Sequence, residues 1–186
     1  DALKLQLGID WRTAGIEHAR EVRDLMGGDY YIDYADDNYP SGKKVTLGDI
    51  IAYHNDTTVD WIGVFGQASY ASGPISAYGM AGFTSIAYSY QDHFTVANEK
   101  ILADPITAAQ FKGGAMFDVN DNLSIFGNFG IVEKPPIMDN VIYFDGTVAS
   151  DPANEKFQSF EAGANFHSGI FGLKTSYYNT DWMDRN

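Results

Sequence analysis

The side chains in this 186-residue chain that could do chemistry are carboxylates, imidazoles and hydroxyls, because it contains no cysteine. A thiolate nucleophile, a thiolate metal site and a disulfide framework are thereby excluded. Asp118-Val119-Asn120-Asp121-Asn122 opens like a calcium loop, with oxygen ligands at alternate positions. Leu123 then replaces the required turn glycine, and Phe129 stands where a bidentate glutamate is needed, so the stretch reads as a turn. The histidines His18, His54, His93 and His167 are scattered and form no H-x-x-x-H pair, which suits solvated or hydrogen-bonded imidazoles rather than metal ligands. No nucleophile-elbow, phosphate-loop or dinucleotide fingerprint is present. Serine chemistry assembled from distant residues, as in a barrel-embedded lipase, is a third reading. The expectation is a protein that is not an enzyme and holds neither metal nor cofactor.

Binding residues are easier to find. The stretch from Asp29 to Tyr39 interleaves Tyr30, Tyr31, Tyr34 and Tyr39 with Asp29, Asp33, Asp36 and Asp37, offering rings and carboxylates to a solute. Tyr30, Tyr31 and Tyr34, together with Asp92 and His93 from a second polar connection, are the candidate substrate contacts. The plainer alternative is a solvated loop. A calcium site could be built from those carboxylates, but no spacing selects one.

Acidic residues outnumber basic ones by 25 to 12, for a net charge of -13. No Lys/Arg cluster interrupts that balance, so no nucleic-acid partner is expected. The 12 Tyr, 12 Phe and 19 Gly favour a β-rich chain in which small residues sit opposite large rings. No apolar run is long enough for a membrane-spanning helix, which says nothing against a membrane barrel. With no initiator Met and a strand starting within a few residues of Asp1, the chain reads as a fragment or mature segment.

Periodicity supplies the elements that must position these groups. Leu3, Leu5, Leu7, Ile9 and Trp11 alternate with polar or small residues, the pattern of a strand with one greasy face. From Ile16 to Met26 the pattern loosens; a strand continuing beyond a membrane is expected, with a helix as the alternative. Gly27 to Thr58 reads as a long connection with a short strand at Asp49 to His54. Asp60 to Tyr90 then reads as a hairpin turning at Ser72-Gly73, with Ala71 opposite Pro74. One face of it, including Tyr70, Ala68, Gly66, Val64, Ile62, Ile75, Ala77, Gly79, Ala81 and Phe83, carries no charge and no amide. At Ile86, Tyr88 and Tyr90 the apolar parity flips, which a bulge or an exit from lipid would explain. Asp92 to Ala108 is a second polar connection. Phe111 to Val119 pairs with Leu123 to Ile131 across Asn120-Asp121-Asn122, setting Val119 opposite Leu123. Glu133 to Glu155 is a third connection, opened by Pro135-Pro136. The last hairpin turns at Ser168-Gly169, with Ala164 opposite Leu173.

All the short turns therefore fall at one end of the strands and all the long connections at the other. An up-and-down antiparallel meander with that asymmetry is the arrangement of an outer-membrane barrel. A soluble sandwich more often mixes crossover connections with even spacings. The fold class read here is all-β: about seven strands of a larger transmembrane β-barrel. A soluble or surface-displayed antiparallel β module that binds a ligand is the alternative.

Three stretches add a resemblance. VDWIGVFGQASY (59–70), FKGGAMFDVNDNLSIFGNFGIVEKPP (111–136) and NEKFQSFEAGANFHSGIFGLKTSYYNTDW (154–182) resemble late barrel strands of TonB-dependent outer-membrane receptors, particularly those common in the Bacteroidetes. HAREVRDLMGGDYY (18–31) is similar to a strand-to-loop passage of the same proteins. At the double proline this chain has Glu133 before Lys134, where a basic residue would come first. The resemblance implies a barrel of about 22 strands closed around a plug, with residues 1–186 a partial barrel domain lacking the plug and the closing strand. It also implies the bacterial outer membrane as the location. The implied partners are outer-membrane lipid, the TonB energy-transducing complex acting through the missing plug, and a small scarce nutrient such as an iron chelate, cobalamin or glycan.

Overall fold

A computed structural model of the chain describes residues 2–185. In chain order the strands are β1 (Ala2–Glu21), β2 (Tyr31–Asp33), β3 (Lys43–Val45), β4 (Ile50–Ser72), β5 (Ile75–Asp92), β6 (Lys100–Leu102), β7 (Ile106–Asn120), β8 (Leu123–Lys134), β9 (Glu155–Ser168) and β10 (Phe171–Met183). Seven of them form one antiparallel meander in the order β1-β4-β5-β7-β8-β9-β10; β6 adds to the end of β5, and β2 and β3 make a separate small hairpin.

The registers put the alternation on two distinct faces. One row crosses all seven strands as Leu3, Tyr70, Ala77, Ala115, Gly127, Ala162 and Tyr177. The neighbouring row, one residue along and on the opposite face, is Lys4, Ser69, Tyr78, Gly114, Asn128, Glu161 and Tyr178. Leu5, Leu7, Ile9 and Trp11 stand on the apolar face and remain largely exposed, and Val64, Phe83, Phe111, Phe129 and Phe160 on the same face are half exposed. So broad an exposed apolar surface requires lipid or another apolar partner.

Two hairpin turns lie one residue further along than the sequence suggests. Ser72 pairs with Ile75, so the turn is Gly73-Pro74 rather than Ser72-Gly73. Gly73 takes φ +54°, and the fixed negative φ of Pro74 follows it, the pattern a type II′ turn accepts. Likewise Ser168 pairs with Phe171, so the turn is Gly169-Ile170, with Gly169 at φ +58°, and Ala164 faces Thr175 rather than Leu173. Each correction shifts the register by two residues, which preserves every face assignment because strand side chains alternate. At the third turn Asn120, not Val119, pairs with Leu123, and Val119 is the extra residue of a bulge. The Asn120 side-chain oxygen accepts the backbone N–H groups of Asn122 and Leu123 at 2.9 and 3.0 Å, which makes this stretch a turn.

One further boundary changes, and two pairs of alternatives are decided. β4 begins at Ile50, so the short strand expected at Asp49 to His54 is present, and it runs on without a break through Thr58, making the last nine residues of the expected connection strand paired to β1. Its polar residues Asn55 and Thr57 are buried, so no hydrophobic alternation marks this part of the strand, and the cross-strand ladder to β1 holds it. A bulge near Ala52, which has φ +67°, resets the register there. The segment Ile16 to Glu21 is strand, as expected, and not the alternative helix. No register shift interrupts β5 between Ile75 and Asp92, so the parity flip at Ile86 is not a bulge. It marks the level at which the apolar face ends and the opposite face becomes the buried one.

Candidate functional site

Above that level the long connections fold onto the sheet. Ile86, Tyr88 and Tyr90 project from the polar side of β5 and form a small core with Ala103, Val141 and Ile142, flanked by Val59, Trp61, Ile101, Ile106 and Met138. Val141 and Ile142 belong to the connection between β8 and β9, which begins with the helical turn Met138–Asn140. Burying each of those aliphatic side chains contributes about 1.5–3 kcal/mol. Two tyrosine hydroxyls fasten the same loop: Tyr88 donates to the Pro136 carbonyl at 2.8 Å and Tyr90 to the Phe144 carbonyl at 3.2 Å. Burial raises the Tyr88 pKa above the usual phenol value. Tyr90 is raised by burial first and then by the nearby carboxylates of Asp92 and Asp145. Both phenols therefore stay protonated and keep donating throughout the neutral range.

Beyond its buried pair the loop closes as a tight hairpin. Ile142 bridges Val148, Tyr143 N–H reaches the Thr147 carbonyl at 2.9 Å, and Gly146 N–H reaches the Tyr143 carbonyl at 2.8 Å. Gly146 has φ +81°, and a Cβ there would lie 2.6 Å from the Ile101 side chain, so glycine is required twice over. The Thr147 N–H, donated to Asp145 Oδ1, lowers the pKa of that carboxyl.

The first long connection docks at a different place. Asp33, almost fully buried, accepts the Ala52 N–H at 3.1 Å and so supports the left-handed residue at the β4 bulge. Asp36, also buried, holds Asn38 and lies 3.6 Å from the Lys43 ammonium. Asp37 N–H and the Asn38 side chain bond the carbonyls of Phe94 and His93 at 2.8 and 3.1 Å.

The structure separates the five residues singled out from the sequence. Tyr30 is half exposed with the Lys44 ammonium 4.2 Å from its ring centroid; Tyr31 starts β2 opposite Val45; Tyr34 is the most exposed of the three. Asp92 caps the turn after β5 by accepting the Phe94 N–H at 2.8 Å. His93 lies across from His54, with ring centroids 4.5 Å apart, and bonds Asp56 at 2.9 Å while His54 bonds Glu17 at 2.8 Å. The first loop thus meets His93 through Asn38, but the three tyrosines stay on its open side. No group of three or more potential metal ligands converges among the described residues.

The polar face of the sheet carries groups that periodicity alone did not single out. In the row through Gly114, Tyr78 donates to Asn128 Oδ1 at 3.4 Å and Asn128 donates to Glu161 Oε2 at 3.0 Å, linking β5, β8 and β9. Gly114 leaves room for this, since a Cβ there would lie 2.8 Å from the Tyr78 ring. The row's Tyr178 and, beside the row, Lys112, Ser159 and Thr180 help line a hollow of about 370 Å³. Phenol, amide, carboxylate and ammonium together make a surface that can hydrogen-bond a polar solute or polypeptide. Their signal in the sequence was polar parity opposite the apolar positions.

A seven-strand meander with one continuous apolar face, one hydrogen-bonding face and the long connections gathered at one end is the wall of a membrane barrel. No helix among the described residues is long and apolar enough to cross a membrane, which says nothing of a barrel that crosses with strands. No curated protein matches the chain. A family match covers residues 1–185, and its description is "TonB dependent receptor-like, beta-barrel". The chain belongs to that family of outer-membrane receptor barrels.

Proposed function

We propose that this barrel wall serves a transporter that carries a scarce small nutrient, of the iron-chelate, cobalamin or glycan class, inward across the outer membrane. The energy is relayed by the TonB complex acting on a plug elsewhere in the parent protein, and the surrounding partner of the wall is outer-membrane lipid. The observation that carries this reading is the pair of adjacent rows across all seven strands, Leu3 to Tyr177 apolar or small and Lys4 to Tyr178 mostly polar. Such a wall separates lipid from a wetted interior. The first and second connections, with Tyr30, Tyr31, Tyr34 and His93, supply outer contacts for the solute, and Asp92 shapes the turn that presents His93.

The same reading holds that the protein performs no catalytic turnover. His54 and His93 each give a ring nitrogen to a carboxylate partner, which suits structural imidazoles.

The test is uptake of a labelled ferric chelate, cobalamin and oligosaccharide panel by cells with the gene deleted and restored. Uptake of one class should require the gene and stop when a protonophore collapses the inner-membrane gradient. Gene-dependent uptake that persists with the protonophore would sink the TonB-coupled reading.

A further inference from the structure

The loop between β8 and β9 has one feature that its anchoring does not explain. Its buried side presents Val141 and Ile142 to the sheet, and its backbone is held by Tyr88 and Tyr90. The two residues that follow, Tyr143 and Phe144, are aromatic and exposed, Phe144 at 71 %. Phe144 offers only its carbonyl to Tyr90, so its ring is free of the sheet. A solvated hairpin tip needs no such pair, and leaving two rings in water forfeits their burial.

We propose that Tyr143 and Phe144 are solute-contacting residues of the entrance, and that the solute they accept presents an apolar ring and carries no net negative charge. This rests on the transport reading above. Position is the first reason. The loop is docked on the hydrogen-bonding face of β5, the face turned from lipid, so its free side borders the interior that a solute must enter. Rigidity is the second. Two tyrosine hydrogen bonds, a two-residue aliphatic plug, the Ile142–Val148 bridge and the Gly146 turn fix the tip before any ligand arrives. Rings held in advance lose little freedom on binding. Charge is the third. Asp145 follows Phe144 directly, its carboxylate held at the tip by the Thr147 N–H at 2.9 Å, and Asp139 lies in the adjoining helical turn. An anion would meet those carboxylates, whereas a neutral or cationic ring meets only rings and favourable charge.

The experiment uses the purified full-length receptor and two probes that share an indole ring but differ in charge, tryptamine and indole-3-acetate. Tryptamine should bind wild type and the exposed-surface control Met26→Ala alike. It should bind the double variant Tyr143→Ala/Phe144→Ala about tenfold more weakly, and indole-3-acetate should bind wild type at least about tenfold more weakly than tryptamine does. Heat-modifiable migration on gels checks that each variant is folded; the two rings are exposed, so no folding loss is expected. Equal binding to the double variant, equal binding of the two probes, or no tryptamine binding to wild type would each overturn the proposal. Uptake by the restored cells is scored separately. Ring preference without gradient-dependent uptake removes only the transport reading, and uptake without ring preference removes only this one.

Discussion

The ring of Phe126 on β8 lies directly over Gly163 on β9, its registered neighbour on the polar face. A Cβ built on Gly163 would come within 2.5 Å of that ring. Phe65 covers Gly8 on β1 in the same way. On this face a glycine is the floor on which a neighbouring ring lies flat, and that lets large side chains share a sheet surface with the Tyr78–Asn128–Glu161 chain. Replacing the floor should be costly. Gly163→Ala is expected to destabilise the folded barrel by about 1–3 kcal/mol, because the ring and the backbone must both shift. Urea unfolding in lipid vesicles measures this, and an unchanged midpoint would mean that the Phe126 ring and the Thr175 carbonyl, which also meets that Cβ, both give way freely.

The face assignment is tested by two adjacent residues. Ala164 lies on the apolar face opposite Ile125 and Thr175, and Asn165 lies on the polar face opposite Ser124 and Lys174. Ala164→Arg puts a cation into lipid and should cost roughly 2–4 kcal/mol; Asn165→Arg meets polar neighbours and should cost little. Greater damage from the Asn165 variant would show that the two faces are exchanged.

Docking of the third loop should depend on alkaline pH. Tyr88 and Tyr90 have raised pKa values in the fold. Once the loop is released, each phenol ionises near its ordinary value of about 10. The released state therefore loses its proton first as pH rises, so docking is at full strength below about pH 10 and weakens above it. Tyr88→Phe removes one hydrogen bond, worth about 0.5–1.5 kcal/mol, together with that phenol's share of the pH dependence, and Tyr90 keeps the rest. Hydrogen exchange at Val141 and Ile142 reads both effects. Exchange in wild type that stays flat from pH 9 to pH 11, after correction for intrinsic rates, would contradict the assignment.

The first loop is predicted to depend on Asp33. Its carboxylate satisfies the Ala52 N–H at a bulge where a non-glycine residue holds positive φ. Asp33→Ala leaves that donor unpaired and the strained residue unsupported, at a cost of about 1–3 kcal/mol. Limited proteolysis between Gly27 and Gly48 should accelerate in the variant while the barrel strands remain protected. Cleavage at the wild-type rate would show that the β2–β3 hairpin holds the loop unaided.

Alternation within strands was enough to assign nearly every side chain of the sheet to a face. Short turns also gave the three hairpin pairs β4–β5, β7–β8 and β9–β10, and the meander order followed from setting those hairpins side by side. That information survives an error of two residues in a turn, so misplacing the loops at Gly73-Pro74 and Gly169-Ile170 changed partners such as Ala164 and Leu173 without moving any residue across the sheet. The sequence also located the three long connections, through their prolines, aspartates and lack of period. Only the tertiary structure decided what those connections rest on. Val141 and Ile142 are unremarkable in a polar stretch, and Tyr88 and Tyr90 appeared only as a break in parity; their pairing joins segments about fifty residues apart, and no local pattern records a contact of that range. Of the upper part of β4 only the short strand at Asp49 to His54 was legible, for a related reason. Above the lipid level neither face must be apolar, and there the strand is held by backbone hydrogen bonds to β1, which every residue type except proline can make.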